Sequence, residues 1–255
     1  MSEQAQGTTQ QANHLALREL SGSFDEAHGG FGSAPKFPHV CNLTLQLRDN
    51  DWHSRHMALI SLQRMATGGL LDQLGGGFYR YSVDERWEIP HFEKMLYDNG
   101  PLLRRYVEAW QLTGESLYRR AAEKTAEWAL REMQPAHGGY CASQDADSGG
   151  EEGGYYVWQQ EEFRSVLEKE EYTVARRYYS LDRPANFEGR RFHPDTDVSK
   201  GPPFGHLERR NGKVQRLPGR LCLSYRRPAG FITGRMASAR PALRPAACRN
   251  SAGAL

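Results

Sequence analysis

The chain has 255 residues, with 33 basic and 31 acidic side chains and a formal net charge of +2. No stretch approaches the roughly 18 consecutive apolar residues that a membrane-spanning helix requires, and the polar first residues lack the apolar centre of a secretory signal. The sequence therefore predicts a soluble, cytoplasmic protein rather than a membrane-bound or secreted one.

The cysteines argue against a structural metal or a disulfide framework. There are four of them, and no two form a Cys-x-x-Cys pair, so neither a zinc site nor a thioredoxin-like redox pair is indicated. Four thiols in so long a chain are also too few for a disulfide-stabilised scaffold. We expect no metal and no cofactor.

Helical periodicity dominates the chain after a polar segment, residues 1–12, that we predict to be disordered. The clearest helix is Glu115–Met133, whose apolar residues, apart from Leu130, share one half of a helical wheel. Pro101–Leu112 precedes it and is expected to start at its proline. The short link Thr113–Gly114 predicts an antiparallel hairpin. Weaker helical patterns cover Asn13–Ala27, Val40–Arg48, Arg55–Ala66, Gln159–Glu168 and Tyr172–Tyr179, and sustained strand alternation appears nowhere.

A pair of glycines followed by an aromatic residue or leucine recurs between these helices. Glycine at the end of a helix adopts a positive φ and lets two backbones approach closely, and the residue after it is expected to enter the core. Helices alternating with such loops predict an array of helical hairpins. The four loops are His28–Phe31, Thr67–Leu70, Gly75–Phe78 and His137–Tyr140.

The composition changes near residue 213. Val214–Leu255 contains eight arginines but no lysine and no acidic residue, which leaves a net charge of −6 on residues 1–213. One interpretation is an arm that binds nucleic acid or another polyanion. We favour a disordered or frameshifted tail, because arginine without lysine in Ala/Pro/Gly-rich sequence is typical of GC-rich DNA translated in the wrong frame. Nucleic acid is therefore an unlikely partner.

Two loops are dense in polar and aromatic residues, namely Gly75–Asn99 and Cys141–Trp158. A site for a sugar or polyol needs flat aromatic faces, fork-like donors and carboxylates. Sugar chemistry adds either two carboxylates for hydrolysis or a histidine-type base. The first loop supplies Trp87, Arg80 and His91, and the second supplies four acidic residues, Asp145, Asp147, Glu151 and Glu152.

Structural roles compete with these functional ones. His91 follows a proline and is as easily explained by a hydrogen bond to the backbone. For Glu93, capping a helix or pairing with Lys94 is a better explanation than catalysis. Asp145 and Asp147 alternate as in a calcium loop, but the remaining EF-hand positions do not match, so these two are either Asx turns that order the loop or acids of a site.

Three segments resemble the signature segments of the YyaL-type family, whose members are also called spermatogenesis-associated or thioredoxin-domain-containing proteins. The match runs in order from about Leu15 to about Arg210. The segments are GGFGSAPKFPH (Gly29–His39), GGLLDQLGGGFYRYSVDERWEIPHFEKMLYDNGPLL (Gly68–Leu103) and ASQDADSGGEEGGYYVW (Ala142–Trp158).

The resemblance implies an all-α fold, a partial (α/α)6 toroid over residues 13–213, similar to N-acylglucosamine 2-epimerases and six-hairpin glycosidases. Intact members carry a thioredoxin-like domain in cis, which we do not find here, and the match stops near residue 211. We therefore expect a fragment of a toroid whose glycine loops line a carbohydrate-type cleft, with residues 214–255 as an irregular tail.

Any chemistry in this cleft is expected to be that of a carbohydrate epimerase, isomerase or glycosidase. His91 is then the predicted general base or acid, with Glu93 and Asp145 as its carboxylate partners. The predicted substrate-binding residues are Tyr79, Arg80, Asp84, Trp87, Asp98 and Asp147, with Arg80 and Asp84 orienting hydroxyl groups and Trp87 as the stacking surface. The alternative is a non-catalytic module that presents a docking surface for proteins.

Overall fold

The architecture is taken from a computed structural model, which describes residues 3–136, 138–189 and 191–196. Seven helices make up most of this part, so the expected predominantly helical fold is confirmed. Their bounds are α1 Glu3–Ser23, α2 Val40–Arg48, α3 Trp52–Thr67, α4 Leu96–Thr113, α5 Ser116–Glu132, α6 Gln160–Val166 and α7 Lys169–Tyr178.

Six strands of two residues each form three separate antiparallel ladders in the loops. These ladders are too short to build a sheet core, and they hold neighbouring loops together instead. They are β1 Tyr81–Ser82 with β2 Pro90–His91, β3 Lys94–Met95 with β4 Ser143–Gln144, and β5 Asp147–Ser148 with β6 Glu151–Glu152.

The bounds of two helices match the sequence prediction closely. Helix α2 has the predicted bounds, and α5 agrees with its prediction to within one residue at each end. Two starts differ. Helix α4 begins five residues before Pro101, which lies inside the helix, and α1 begins at Glu3, so positions 3–12 are helical where we expected disorder.

The main core lies between α2, α3, α4 and α5, which pack against one another. Tyr106 and Tyr118 are buried there, and their hydroxyls donate to the carbonyls of Leu62 and Leu59 on α3. The predicted apolar face of α5 is confirmed, because Ala121 and Trp128 are buried. A second, smaller core around Trp158 and Phe163 belongs to α6 and α7.

Two of the glycine–glycine loops have the same internal geometry. In one, Gly29 donates to the Asp25 carbonyl while Asp25 donates back to Gly30. In the other, Gly76 donates to the Asp72 carbonyl while Asp72 donates back to Gly77. Each aspartate Oδ1 also accepts two backbone N–H groups of its own turn. We call these the first and second Asp-Gly-Gly turns.

A buried lysine closes each turn. Lys36 Nζ lies 2.6 Å from Asp25 Oδ2 and donates to the Gly29 carbonyl at 2.8 Å. Lys94 Nζ lies 2.7 Å from Asp72 Oδ2 and donates to the Gly76 carbonyl at 2.8 Å. Both lysines are almost completely buried. In each turn the ammonium group binds the same two acceptors, the aspartate carboxylate and a glycine carbonyl.

Aromatic rings complete the enclosure of both ammonium groups. Lys36 Nζ lies 5.4 Å from the ring centroid of Trp87. Lys94 Nζ lies 4.8 and 4.9 Å from the rings of Tyr79 and Tyr156, and 5.6 Å from that of Trp128. Cation–π attraction increases when the cation is desolvated, which helps these rings offset the cost of burying the charge.

The glycines of the two turns are required by these tryptophans. Gly30 has φ +80° and a Cβ there would lie 2.5 Å from Trp87, while Gly77 has φ +76° and a Cβ would lie 2.5 Å from Trp128. The expected close approach at these glycines is therefore present. Its cause is the tryptophan ring beside each glycine rather than the end of a helix. Neither turn ends a helix, and Gly68, which does follow α3, has no positive φ.

The predicted tail, residues 214–255, and its polyanion-binding alternative lie outside the described residues, as does the predicted loop residue His137. Among the helices that the structure describes, none combines the length and apolar character needed to cross a membrane.

Removing one partner of the second turn should destabilise the protein strongly. Lys94→Met leaves the Asp72 carboxylate buried without its counter-charge, which typically costs about 3–5 kcal/mol. The free energy of unfolding, from urea titration followed by circular dichroism, measures the effect. Arg119→Gln, which breaks an exposed pair with Glu123, is the control and should cost about 0.5 kcal/mol or less. A loss below about 1 kcal/mol for Lys94→Met would contradict this role.

Candidate functional site

The loop between the second Asp-Gly-Gly turn and α4 is folded back on itself. Strands β1 and β2 pair Tyr81 with His91, and the Arg80 amide donates to the Glu93 carbonyl at 2.9 Å. The connection between the strands is ordered by Asp84, whose carboxylate accepts the amides of three later residues. Arg80, His91 and Glu93, up to thirteen positions apart in the chain, are thereby brought close together.

An acid–base cluster occupies that surface. His91 Nδ1 lies 2.6 Å from Glu152 Oε1, and His91 Nε2 lies 3.8 Å from Glu93 Oε2. Arg80 donates to the same Glu93 oxygen at 3.1 Å. All four side chains are partly exposed, so solvent or a small molecule can reach them. We use the name acid–base cluster for Arg80, His91, Glu93, Glu152 and the nearby Asp98.

Asp98 is the member whose protonation is most clearly altered. Burial raises its pKa to about 6, and the neighbouring charge of Glu93 acts in the same direction, while Arg80 opposes both. Its Oδ2 is buried and has no hydrogen-bond partner among the described residues. A carboxyl with this pKa exchanges its proton close to neutral pH, which is the range useful for general acid–base catalysis.

Aromatic rings border the cluster on one side. Tyr81 stacks on His91 with 5.0 Å between ring centroids, and Phe37 stacks on Tyr81 with 4.8 Å between theirs. Phe37 is 38% exposed and Tyr97, next to Asp98, is 57% exposed. These two rings are available to a ligand that lies over the cluster.

Comparison with known proteins finds relatives of the chain. An alignment of 169 residues, covering 61% of the chain, is 38% identical to spermatogenesis-associated protein 20 of Homo sapiens and to that of Mus musculus. The Rattus norvegicus protein is 36% identical over the same length. The chain is similar to spermatogenesis-associated protein 20. It spans about a fifth of the length of these relatives, 22% of the human protein, and no family model matches it.

The similarity to spermatogenesis-associated protein 20 supports the family resemblance noted in the sequence. Four predicted residues are brought together in the acid–base cluster, and they are Arg80, His91, Glu93 and Asp98. Glu152 was grouped with the acidic residues of the second loop but was not predicted to contact His91. Its contact depends on tertiary packing between segments 61 residues apart.

Two predicted substrate-binding residues are buried instead. Trp87 is 0% exposed because its ring packs on Gly30 and its indole N–H donates to the His28 carbonyl. It therefore offers no ring face to a ligand. Tyr79 is also 0% exposed, because its ring helps to enclose Lys94. Burial and the charge of Asp72 raise the pKa of its hydroxyl well above the ordinary value.

Two of the other predicted acids, Asp84 and Asp145, have local structural roles. Asp84 is occupied by three backbone amides, as described above, and holds the β1–β2 connection. Asp145 Oδ1 accepts the Asp147 amide at 3.2 Å, which is the loop-ordering interaction that the sequence left open as an alternative. Asp147 is exposed on β5, opposite Glu152 in the ladder. Among the described residues, no group of three His, Cys, Asp or Glu side chains is arranged to hold a metal ion.

The raised pKa of Asp98 predicts a pH-dependent effect of its removal. The ordinary pKa is 3.8 and the folded value about 6, so the folded protein binds the extra proton and its stability falls as pH rises through this window. Asp98→Asn removes the carboxylate, and with it this loss of stability at higher pH. The variant should be more stable than the wild type at pH 7.5 by about 1 kcal/mol, a figure that allows for solvent screening.

Thermal unfolding at pH 7.5 and below pH 4 measures this difference, which should vanish at the lower pH. Asp147→Asn, an exposed carboxylate change outside the cluster, provides the control and should show no such dependence. An Asp98→Asn variant that is less stable than wild type at pH 7.5 would refute the assignment.

Proposed function

We propose that the chain is part of a helical-hairpin toroid of the spermatogenesis-associated protein 20 type, and that its acid–base cluster binds a carbohydrate or polyol and transfers a proton to or from it. The similarity to the mammalian proteins supports the family. The proposed toroid, its relation to epimerases and the thioredoxin-like domain in cis of longer members rest on the sequence resemblance.

The observation that carries the chemical part is the combination of His91 with Asp98. Histidine is the side chain that most often moves protons in catalysis, and here it lies between two carboxylates that can stabilise its charged form. Asp98, with a pKa of about 6, is a second group able to hold or release a proton. Two proton-exchanging groups on one accessible surface are the minimum for acid–base chemistry on a hydroxylated substrate.

The remaining members of the surface suit a sugar-like ligand. Arg80 presents a planar fork of donors that matches vicinal hydroxyl or carboxylate oxygens. Glu93 accepts hydrogen bonds from hydroxyl groups. The exposed rings of Phe37 and Tyr97 replace Trp87 as the flat apolar faces against which the C–H surface of a sugar can pack.

Direct titration tests this proposal. Isothermal calorimetry of the chain with N-acylhexosamines, cellobiose and unsaturated uronides should detect binding of at least one of them at millimolar concentration. Arg80→Met should weaken that binding about tenfold, the loss expected for a hydrogen bond from a charged group. Arg119→Met, an equivalent loss of charge on the exposed face of α5, should leave the affinity unchanged.

Circular dichroism of both variants establishes that each retains the helical fold. The absence of heat with every ligand at about 10 mM, or equal affinity of the two folded variants, would reject the carbohydrate site. That outcome would favour the non-catalytic module.

A further inference from the structure

The two ring nitrogens of His91 have different environments. Nδ1 lies 2.6 Å from Glu152 Oε1, a hydrogen-bond distance, whereas Nε2 lies 3.8 Å from Glu93 Oε2, which is too long for one. An ionised carboxylate only accepts hydrogen bonds. Neutral His91 therefore carries its proton on Nδ1 and donates it to Glu152. The lone pair on Nε2 is left available.

The ring is also held in place by its surroundings. Tyr81 stacks on it with an interplanar angle of 19°, which fixes the plane of the imidazole. Phe92, the residue that follows β2, is buried in the core, so the backbone at His91 is anchored. The orientation of the ring about its own axis is then decided by the hydrogen bond to Glu152.

Glu152 reaches His91 because its hairpin is tightly seated. Gly153 has φ +71°, and a Cβ at this position would lie 2.5 Å from the ring of Phe92. The Gly153 amide donates to the Ala146 carbonyl at 2.9 Å. Glu151, the other acid of β6, pairs with Arg191 at 2.9 Å and thereby ties the hairpin to a later segment.

We propose that Glu152 is a positioning residue that holds His91 in the Nδ1–H form, so that Nε2 is the basic atom of the site. This inference rests on the proposed function and specifies its proton-transfer step. The proton of a ligand hydroxyl moves to Nε2, and the electron pair of the O–H bond stays on the ligand oxygen. The resulting imidazolium is stabilised by the carboxylates of Glu152 and Glu93.

Long-range proton–nitrogen NMR of the 15N-labelled chain reads the tautomer directly, with the signals of His91 assigned by their loss in His91→Gln. The wild type, at a pH where His91 is neutral, should show the Nδ1–H form. Glu152→Ala should change the tautomer ratio by about tenfold or more in favour of Nε2–H, as expected when a hydrogen bond to a charged group is lost.

Two further variants separate positioning from general damage to the hairpin. Glu152→Gln keeps an oxygen that accepts the Nδ1–H bond, so it should restore the wild-type tautomer. Glu151→Ala removes the neighbouring carboxylate and its pair with Arg191, and it should leave the tautomer unchanged. A wild-type Nε2–H form, or a ratio that Glu152→Ala does not alter, would overturn the inference.

These outcomes are independent of ligand binding. A chain that shows the Nδ1–H form but binds no sugar in calorimetry refutes the proposed function and leaves the orientation of His91 standing. A chain that binds sugar but carries its proton on Nε2 retains the proposed site and refutes the role of Glu152.

Discussion

Ion pairs between an aspartate and a buried lysine organise the loops of this protein. Each pair closes an Asp-Gly-Gly turn, with the lysine also binding a carbonyl of the turn and facing aromatic rings. Charges removed from water are costly unless they are paired and hydrogen-bonded, and these are both. Loops that would otherwise be free to move are thus fixed to the helical core. The surface carrying Arg80 and His91 begins three residues after Gly77, the last residue of the second turn.

The helical part of the fold was largely predictable, whereas the ion pairs that close the two Asp-Gly-Gly turns were not. Strong apolar periodicity located α5, and Leu130, the residue that did not fit its apolar face, is 60% exposed. The recurrent glycines were recognised but were interpreted as helix ends. Their partners, Lys36 and Lys94, were missed because charged residues are rarely buried. The repeated pattern Asp-x-x-x-Gly-Gly-Phe, at Asp25 and Asp72, was the available signal.

The candidate site was predictable to the extent that it is local. Arg80, His91, Glu93 and Asp98 lie within one short loop and the start of the following helix, so their proximity followed from the sequence. Trp87 lies in the same loop, but the choice between core and surface depends on Gly30, far away in the chain. Glu152 reaches the site only through the packing of Gly153 on Phe92, which no local pattern encodes.

The close contact of Gly153 with Phe92 has a consequence for the effects of substitutions in this protein. Phe92 is buried while its neighbours His91 and Glu93 are partly exposed. A change in packing beneath the Phe92 ring is therefore expected to alter the spacing between His91 and Glu152. Substitutions in the interior can therefore uncouple the two halves of the site while leaving every one of its side chains chemically intact. Such variants would lose function because His91 and Glu152 are misaligned, and not because a side chain of the site is missing.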